Sequence, residues 1–291
     1  MPAKIILIKD ITGQVEILPD QAGRDRRVIR EEKAQGIAQR HNMSLYEVYL
    51  TALKMEILPY RYIRNLDSIT LNDQLTLARS GVCIIGAGGL GGQIILLLAR
   101  LGIGNMIIVD GDNFDETNLN RQALSSTDSL CRPKALVAKE AVAKINPAVN
   151  VTAYNERLTK NNAKEIFFSS QVIVDALDNI PDRFILETTA KKIGIPLVHG
   201  AVAGFIGQVM TIFPDDAGIR NIYDKDRGAI PPEKNPALKL GVPAVTPAII
   251  ASYQVMETIK ILLDRKRQLR NTMLYLDASK SEARKLIFQK E

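Results

Sequence analysis

Apolar residues along this chain switch between two spacings, and the switch points divide it. Residues 4–8 and 14–18 run apolar or alternate with polar residues around Thr12-Gly13, which predicts a small β-hairpin. From about residue 25 to residue 58 the spacing becomes helical, and Ser44 ahead of Leu-Tyr-Glu-Val-Tyr is a candidate N-cap. Pro59 closes that section. Residues 1–58 therefore read as an N-terminal extension of hairpin and helices, packed on a main domain of residues 59–291.

In the main domain, short apolar runs at 81–85, 106–110, 149–154, 172–176 and 196–199 predict buried strands. The stretches 91–101, 134–145, 163–168 and 182–192 between them predict helices. This rhythm predicts an α/β, Rossmann-like fold, a mainly parallel sheet with helices on both faces. After residue 200 the rhythm changes, and residues 203–214 read as a glycine bend and an apolar strand. Residues 214–247 read as a long loop marked by Pro214, Asp215, Asp216, Pro231, Pro232, Pro236 and Pro243. A loop that long in a compact domain is usually functional or partly disordered. Pro247 opens an apolar helix over 248–263, and 273–276 with 286–288 predict a closing strand pair, an antiparallel C-terminal extension.

Length and composition bound the function without choosing it. At 291 residues, 46% hydrophobic and 24% charged, the chain can bury a full α/β core. No apolar run approaches the roughly 20 residues of a membrane span, and the first residues lack a secretory leader pattern, so a cytoplasmic protein is expected. The net charge of +6 suits an acidic partner, while the absence of a long basic run gives no positive sign of nucleic acid. Two cysteines cannot build a disulfide framework or a four-cysteine metal site. Cys83 reads as a core residue, and Cys131, in a polar loop near Lys134, is the one plausible reactive thiol but reads more simply as a plain loop residue.

The candidate chemistry begins at Gly86-Ala-Gly-Gly-Leu-Gly91, between a predicted strand and a predicted helix. Gly86, Gly88, Gly89 and Gly91 let backbone amides approach a phosphate, and the helix N-terminus adds partial positive charge. Asp110 falls 24 residues after Gly86, close to the spacing of an acid that binds a ribose hydroxyl. That fingerprint alone fits a dehydrogenase equally well. The residues beyond Asp110 carry more positive charge than a dinucleotide needs. Arg121 and Lys134 belong at the carboxyl edge of the sheet, with Asn118 beside them. Asp178, in Asp175-Ala-Leu-Asp-Asn179, brings a carboxylate suited to Mg²⁺ to the same edge. Each residue alone could be a surface ion pair or a helix cap. Together they can hold a triphosphate and stabilise charge on departing pyrophosphate.

Several pieces in order make the chain resemble the HesA/MoeB/ThiF family, bacterial relatives of ubiquitin-activating enzymes. They are Arg61-Tyr-Ile-Arg-Asn65, the glycine turn, Asp110-Gly-Asp112, Asn118-Leu-Asn-Arg-Gln122, Arg132-Pro-Lys134, Asp175-Ala-Leu-Asp-Asn179 and Gly204-Phe-Ile-Gly-Gln208. The resemblance spans about residues 60 to 288. It implies adenylation of the C-terminal glycine of a ubiquitin-like sulfur carrier ending in Gly-Gly, using ATP and Mg²⁺, in molybdopterin (or tungstopterin) or thiamin biosynthesis. Carried over by position, Asp110 holds the ribose, and Asn118, Arg121 and Lys134 contact phosphates. Asp112 and Asn179 complete the nucleotide set, and Asp178 holds Mg²⁺. Arg64 reaches into a partner subunit's site, which implies a homodimer.

The chain departs from that family in its cysteines. It lacks the paired Cys-x-x-Cys motifs of a structural zinc, so no zinc is expected, and residues 214–247 hold no cysteine for a thioester or persulfide. Cys131 stands where the family loop commonly has Gly. A separate sulfur donor is then implied. Three other readings stay open on sequence alone: a zinc-free tRNA-modifying dehydratase, an NAD-dependent oxidoreductase, and a non-catalytic carrier-binding scaffold. His199, the sole histidine of the core region, reads as a packed or edge residue and not as a hydride-transfer acid.

Overall fold

The computed structural model describes residues 2–223 and 239–288. The chain begins with a helix, α1 (Pro2–Thr12), and not with the expected strand. Leu7 and Ile11, four residues apart, are buried on one face of it. Its Asp10 meets Nε2 of His41 at 2.8 Å. The β-branched run favours a strand locally, yet only helical spacing brings Leu7 and Ile11 together, and tertiary packing prevails.

The hairpin comes one element later. Strand β1 (Glu16–Pro19) pairs antiparallel with β2 (Asp25–Ile29), so residues 25–29, expected to be helical, are extended. Asp20 closes the turn between them, its Oδ1 accepting from the N–H groups of Ala22 and Arg24 at 2.9 and 3.0 Å. Helices α2 (Glu31–His41) and α3 (Leu45–Lys54) follow, and Ser44 caps α3 as expected, in a reciprocal box with Glu47. Strand β3 (Leu58–Pro59) then joins β2 in parallel. The core of this unit, around Ile29, Ile37, Val48 and Leu53, also takes in Tyr62, Ala78 and Ala148. A 3-10 turn (Tyr60–Asn65) and a helix not anticipated from the apolar spacing, α4 (Leu71–Arg79), lead to the main sheet.

Five parallel strands form the centre of that sheet: β4 (Gly81–Ile85), β5 (Asn105–Val109), β6 (Asn150–Tyr154), β7 (Val172–Asp175) and β8 (Leu197–Ala203). Their spatial order is β6-β5-β4-β7-β8. Side chains of β4 alternate between two cores. Val82 and Ile84 pack with α5 (Gly89–Leu101), α6 (Lys134–Ile145) and α9 (Val245–Leu262). Cys83 and Ile85 pack with α7 (Ala163–Phe167) and α8 (Ile180–Ile193). Helices thus cover both faces, as the βαβ rhythm requires. Cys83 is a core residue, and burial pushes its thiol far up.

Antiparallel strands β9 (Ile206–Ile212), β10 (Thr272–Asp277) and β11 (Glu282–Ile287) extend the sheet beyond β8. Helix α9 starts at Val245, with Pro247 in its first turn. The expected long loop is broken by a short 3-10 turn, Gly218–Asn221, and its Pro231, Pro232 and Pro236 lie outside the described residues. Among the described residues no helix is long and apolar enough to cross a membrane. Strand order reverses direction at β4, with β5 on one side and β7 on the other, so the carboxyl ends of β4 and β7 bound a crevice.

Candidate nucleotide site

The glycine turn fills the β4 end of that crevice. Gly86 takes a φ of +98°, and a Cβ there would lie 2.7 Å from the carbonyl oxygen of Ala176. A Cβ on Gly91 would lie 1.8 Å from the carbonyl oxygen of Gly86. No other residue fits at either point. The turn delivers Gly88 as the N-cap of α5, without a capping side chain, so the first amides of α5 are left to face an anion. The close approach of Gly86 to Ala176, just past β7, also welds the glycine turn to the loop that carries Asp178.

Asp110, at the end of β5, is bound into the same turn. Its Oδ2 accepts from Ala87 N–H at 2.7 Å, and its Oδ1 from Asp112 N–H at 2.8 Å. Burial pushes its carboxyl above the ordinary 3.8, against the pull of those two amides and of Lys134. A carboxylate held this way gains from hydroxyl donors, the groups a ribose offers. Lys134, the first residue of α6, is buried, and its Nζ stands 3.5 Å from Oδ2 of Asp112. Asp112 is exposed and also faces Arg157 Nη2 at 3.4 Å, so in this state it holds cations.

Arg121 stands beside the turn, its Cγ 4.0 Å from where a Cβ on Gly89 would be. Its Nη1 donates to Thr117 O at 2.8 Å and to Asn120 Oδ1 at 2.9 Å. Asn118 is buried, and its Oδ1 accepts from Asp115 N–H at 3.1 Å, closing the loop that presents Arg121. Gln122, in the same motif but assigned no role by its position in the sequence, is buried with Oε1 unpartnered, its carboxamide 3.6 Å from a Cβ placed on Gly88. An unsatisfied buried acceptor beside the cradle fits a bound group that donates a hydrogen bond.

On the β7 side, Asp178 is exposed two residues beyond Ala176. The Leu177 peptide before it is held at both ends. Its N–H donates to Asp175 Oδ1 at 3.0 Å, and its carbonyl accepts from Arg183 Nη2. Asn179 spends its side chain on capping α8, accepting from Asp182 N–H at 2.9 Å. Behind the loop lies a buried network that the spacing did not reveal. His199 Nδ1 meets Asp175 Oδ2 at 2.7 Å, and Arg183 Nε lies 3.4 Å from the same oxygen. Tyr223 Oη accepts from Arg183 Nη1 at 3.0 Å and from Gln208 Nε2 at 2.8 Å. Of the packed and edge readings of His199, its full burial selects the packed one.

Two residues stand apart from this cluster. Arg64 is exposed, on the 3-10 turn whose Tyr62 packs at Gly102, where an added Cβ would lie 2.5 Å from the Tyr62 hydroxyl. Gly102 ends α5 and Gly89 begins it, so about 20 Å of helix lies between the Tyr62 contact and the glycine turn. Cys131 is exposed at a φ of +62°, a left-handed position that explains why glycine suits this loop.

Comparison with known proteins places the chain. The SAMP-activating enzyme E1 of Haloferax volcanii is 36% identical over 222 residues, covering 75% of this chain and 81% of that one. The sulfur carrier protein adenylyltransferase of Thermus thermophilus is 37% identical over 221 residues, 73% of this chain and 80% of its own. Among solved structures, PaaA superposes with a TM-score of 0.66 at 20% identity over 96% of this chain and all of its own. Escherichia coli MccB with ATP superposes with a TM-score of 0.68 at 18% identity over 89% of this chain and 83% of its own, a likeness of fold. Residues 60–290, which hold every motif of the cluster, match the ThiF family, and the chain belongs to it.

Proposed function

We propose that this chain is an ATP-dependent adenylyltransferase that activates the C-terminal glycine carboxylate of a ubiquitin-like sulfur carrier. The observation that carries the reading is the convergence of Asp110, Arg121 and Lys134 on one glycine turn, with the Asp178 loop in contact with it. Relatives named for activating sulfur carrier proteins support the substrate class. ATP supplies an α-phosphorus open to a carboxylate and pyrophosphate as the leaving group.

The amides at the start of α5 receive phosphate oxygens, and Asp110 accepts hydrogen bonds from the ribose. Arg121 and Lys134 stabilise the negative charge that grows on the departing oxygens. Asn118 keeps the Arg121 loop closed. Asp178 offers one exposed carboxylate, which suits Mg²⁺, an ion that commonly takes one or two protein carboxylates and completes its shell with water and phosphate. Asn179 contributes its backbone, since its side chain caps α8.

Arg64 makes no hydrogen bond or ion pair among the described residues and is exposed on a turn whose Tyr62 packs at the end of α5 opposite the glycine turn, which supports a homodimer in which it serves the partner's. The net charge of +6 suits an acidic carrier. With both cysteines outside residues 214–247, sulfur comes from a separate donor, and Cys83 is too deeply buried to take part.

ATP–pyrophosphate exchange tests this directly. Exchange should require a carrier ending in Gly-Gly and fall by about 10²–10³ in Lys134→Ala or Arg121→Ala, the size of effect that accompanies loss of one charge-stabilising donor. Full exchange in both variants would remove the mechanism.

A further inference from the structure

Residues 1–58 have no part in the site described so far, yet they grip the turn that carries Arg64 from two sides. Strand β3, paired with β2 at Val28–Leu58 and Ile29–Pro59, runs straight into that turn. The Tyr60 ring at its start lies under the Arg30 guanidinium at 4.9 Å. Arg61 ties Glu31 of α2 to the Ile145 carbonyl at the end of α6, the latter at 3.0 Å. Just past Arg64, Arg24 Nη2 donates to both carboxylate oxygens of Asp67, at 2.8 and 2.7 Å.

Arg24 is itself fixed from behind. Its Nε donates to Oδ2 of Asp20 at 2.8 Å, and Arg26 Nε donates to the same oxygen at 2.9 Å. The Asp20 side chain is 1% exposed. Burial opposes its ionisation, but the amides of Arg24 and Ala22 and the two guanidinium groups outweigh it and hold the carboxyl at about 2. The hub therefore stays charged at any working pH. Pro19, Asp20 and Gln21 share a cleft of about 300 Å³ with Tyr60, Ile63 and Arg64, so this turn of the N-terminal unit and the Arg64 turn face each other.

We propose that the β1–β2 turn is a positioning device for Arg64, and that Arg24 is a positioning residue which, through Asp67, fixes the direction in which Arg64 leaves the molecule. The proposal rests on the reading of Arg64 as a group that serves an adenylation site. A long cation that must meet a triphosphate on another molecule loses rotamer and backbone freedom when it docks. Holding its backbone in advance lowers that loss, and small displacements of such a group are costly in rate. The line Asp20–Arg24–Asp67 does this from an anchor in residues 1–58, outside the catalytic domain. It gives the extension a task in the reaction.

The test is a double-mutant cycle on exchange, using the Gly-Gly carrier that supports exchange by the unaltered chain. Arg24→Ala and Asp67→Ala are expected to lower kcat about threefold to tenfold with KM for ATP unchanged. Asp67→Ala should leave the unfolding temperature unchanged, because its pair with Arg24 is exposed. Arg24→Ala should lower it by removing one of the two guanidinium groups on the buried Asp20. Arg24→Lys, which keeps a cation for both Asp20 and Asp67, should retain most of the activity. In an Arg64→Ala background, Arg24→Ala should cost nothing further, since there is no guanidinium left to aim. An equal loss in both backgrounds would mark a merely structural role and overturn the proposal, as would full kcat in Arg24→Ala. Full kcat in Arg64→Ala would overturn the underlying reading of Arg64 and this proposal with it, which separates the two failures.

Discussion

Nδ1 of His199 lies 2.7 Å from Oδ2 of Asp175, with both side chains fully buried between β8 and β7. Burial lowers the imidazole pKa below the ordinary 6.5, and the Asp175 bond and charge oppose it only in part. Arg183 adds to the lowering, while Glu187 opposes it. The Tyr223 ring sits edge-on 5.9 Å away, and Gln208 Nε2 lies 3.4 Å from His199 Nε2. The folded state thus binds this proton less readily than the unfolded chain. Stability from His199 is complete above pH 6.5 and is lost as pH falls from there through the depressed folded pKa. Chemical denaturation across that window should show falling stability in the unaltered chain and a shallower dependence in His199→Gln. Equal slopes would contradict the assignment.

Arg183 keeps the same carboxylate company and holds the Leu177 carbonyl. Removing one member of a buried charged pair commonly costs about 3–5 kcal/mol, because the other is left without compensation. Arg183→Leu should therefore lower stability by about that amount in urea melts, more than Arg183→Lys, which retains the charge. A loss under about 1 kcal/mol in Arg183→Leu would show that His199 and the Leu177 amide suffice for Asp175.

Gly91 cannot take a side chain without moving the turn, since a Cβ would stand 1.8 Å from a backbone oxygen. Gly91→Ala should cost about 3 kcal/mol or somewhat more, the upper end of overpacking, and should weaken ATP binding in calorimetry. Gly194→Ala is the control, because a Cβ there meets nothing within 4 Å and only its φ of +76° is unfavourable. Normal ATP affinity in Gly91→Ala would mean that this turn does not contact the nucleotide.

Cys131 offers the opposite case. Its φ of +62° costs a non-glycine residue about 1–2 kcal/mol, part of which returns as the greater chain entropy of glycine. Cys131→Gly should be more stable by about 0.5–1 kcal/mol with unchanged exchange activity. Loss of activity in this variant, or in the alkylated protein, would assign the thiol a role that its exposed loop position does not suggest.

How much of the molecule is legible in its sequence depends on range. The strands 81–85 and 172–176, the α6 span 134–145 and the glycine turn are readable because their signals are local: period, a glycine spacing, a charge after a strand. The first helix is not, because Ile5, Ile6 and Ile8 resemble a strand, and only packing of Leu7 and Ile11 on the extension decides otherwise. Helix α4 does carry a local signal, the capping box of Thr70 and Asp73, which apolar spacing alone passes over. The Asp175–His199–Arg183–Tyr223 network is invisible, because its members come from four separate stretches and only the sheet order brings them together. Asp178 can be placed at the edge from sequence, but the clamp on its neighbouring peptide cannot.

The most direct measurement of the central claim is the fate of ATP labelled on its α-phosphate, mixed with the protein and a carrier ending in Gly-Gly. The label should appear on the carrier's terminal carboxylate with free pyrophosphate in matching amount, and both should be lost in Lys134→Ala. Release of ADP and phosphate, with no label on the carrier, would contradict it.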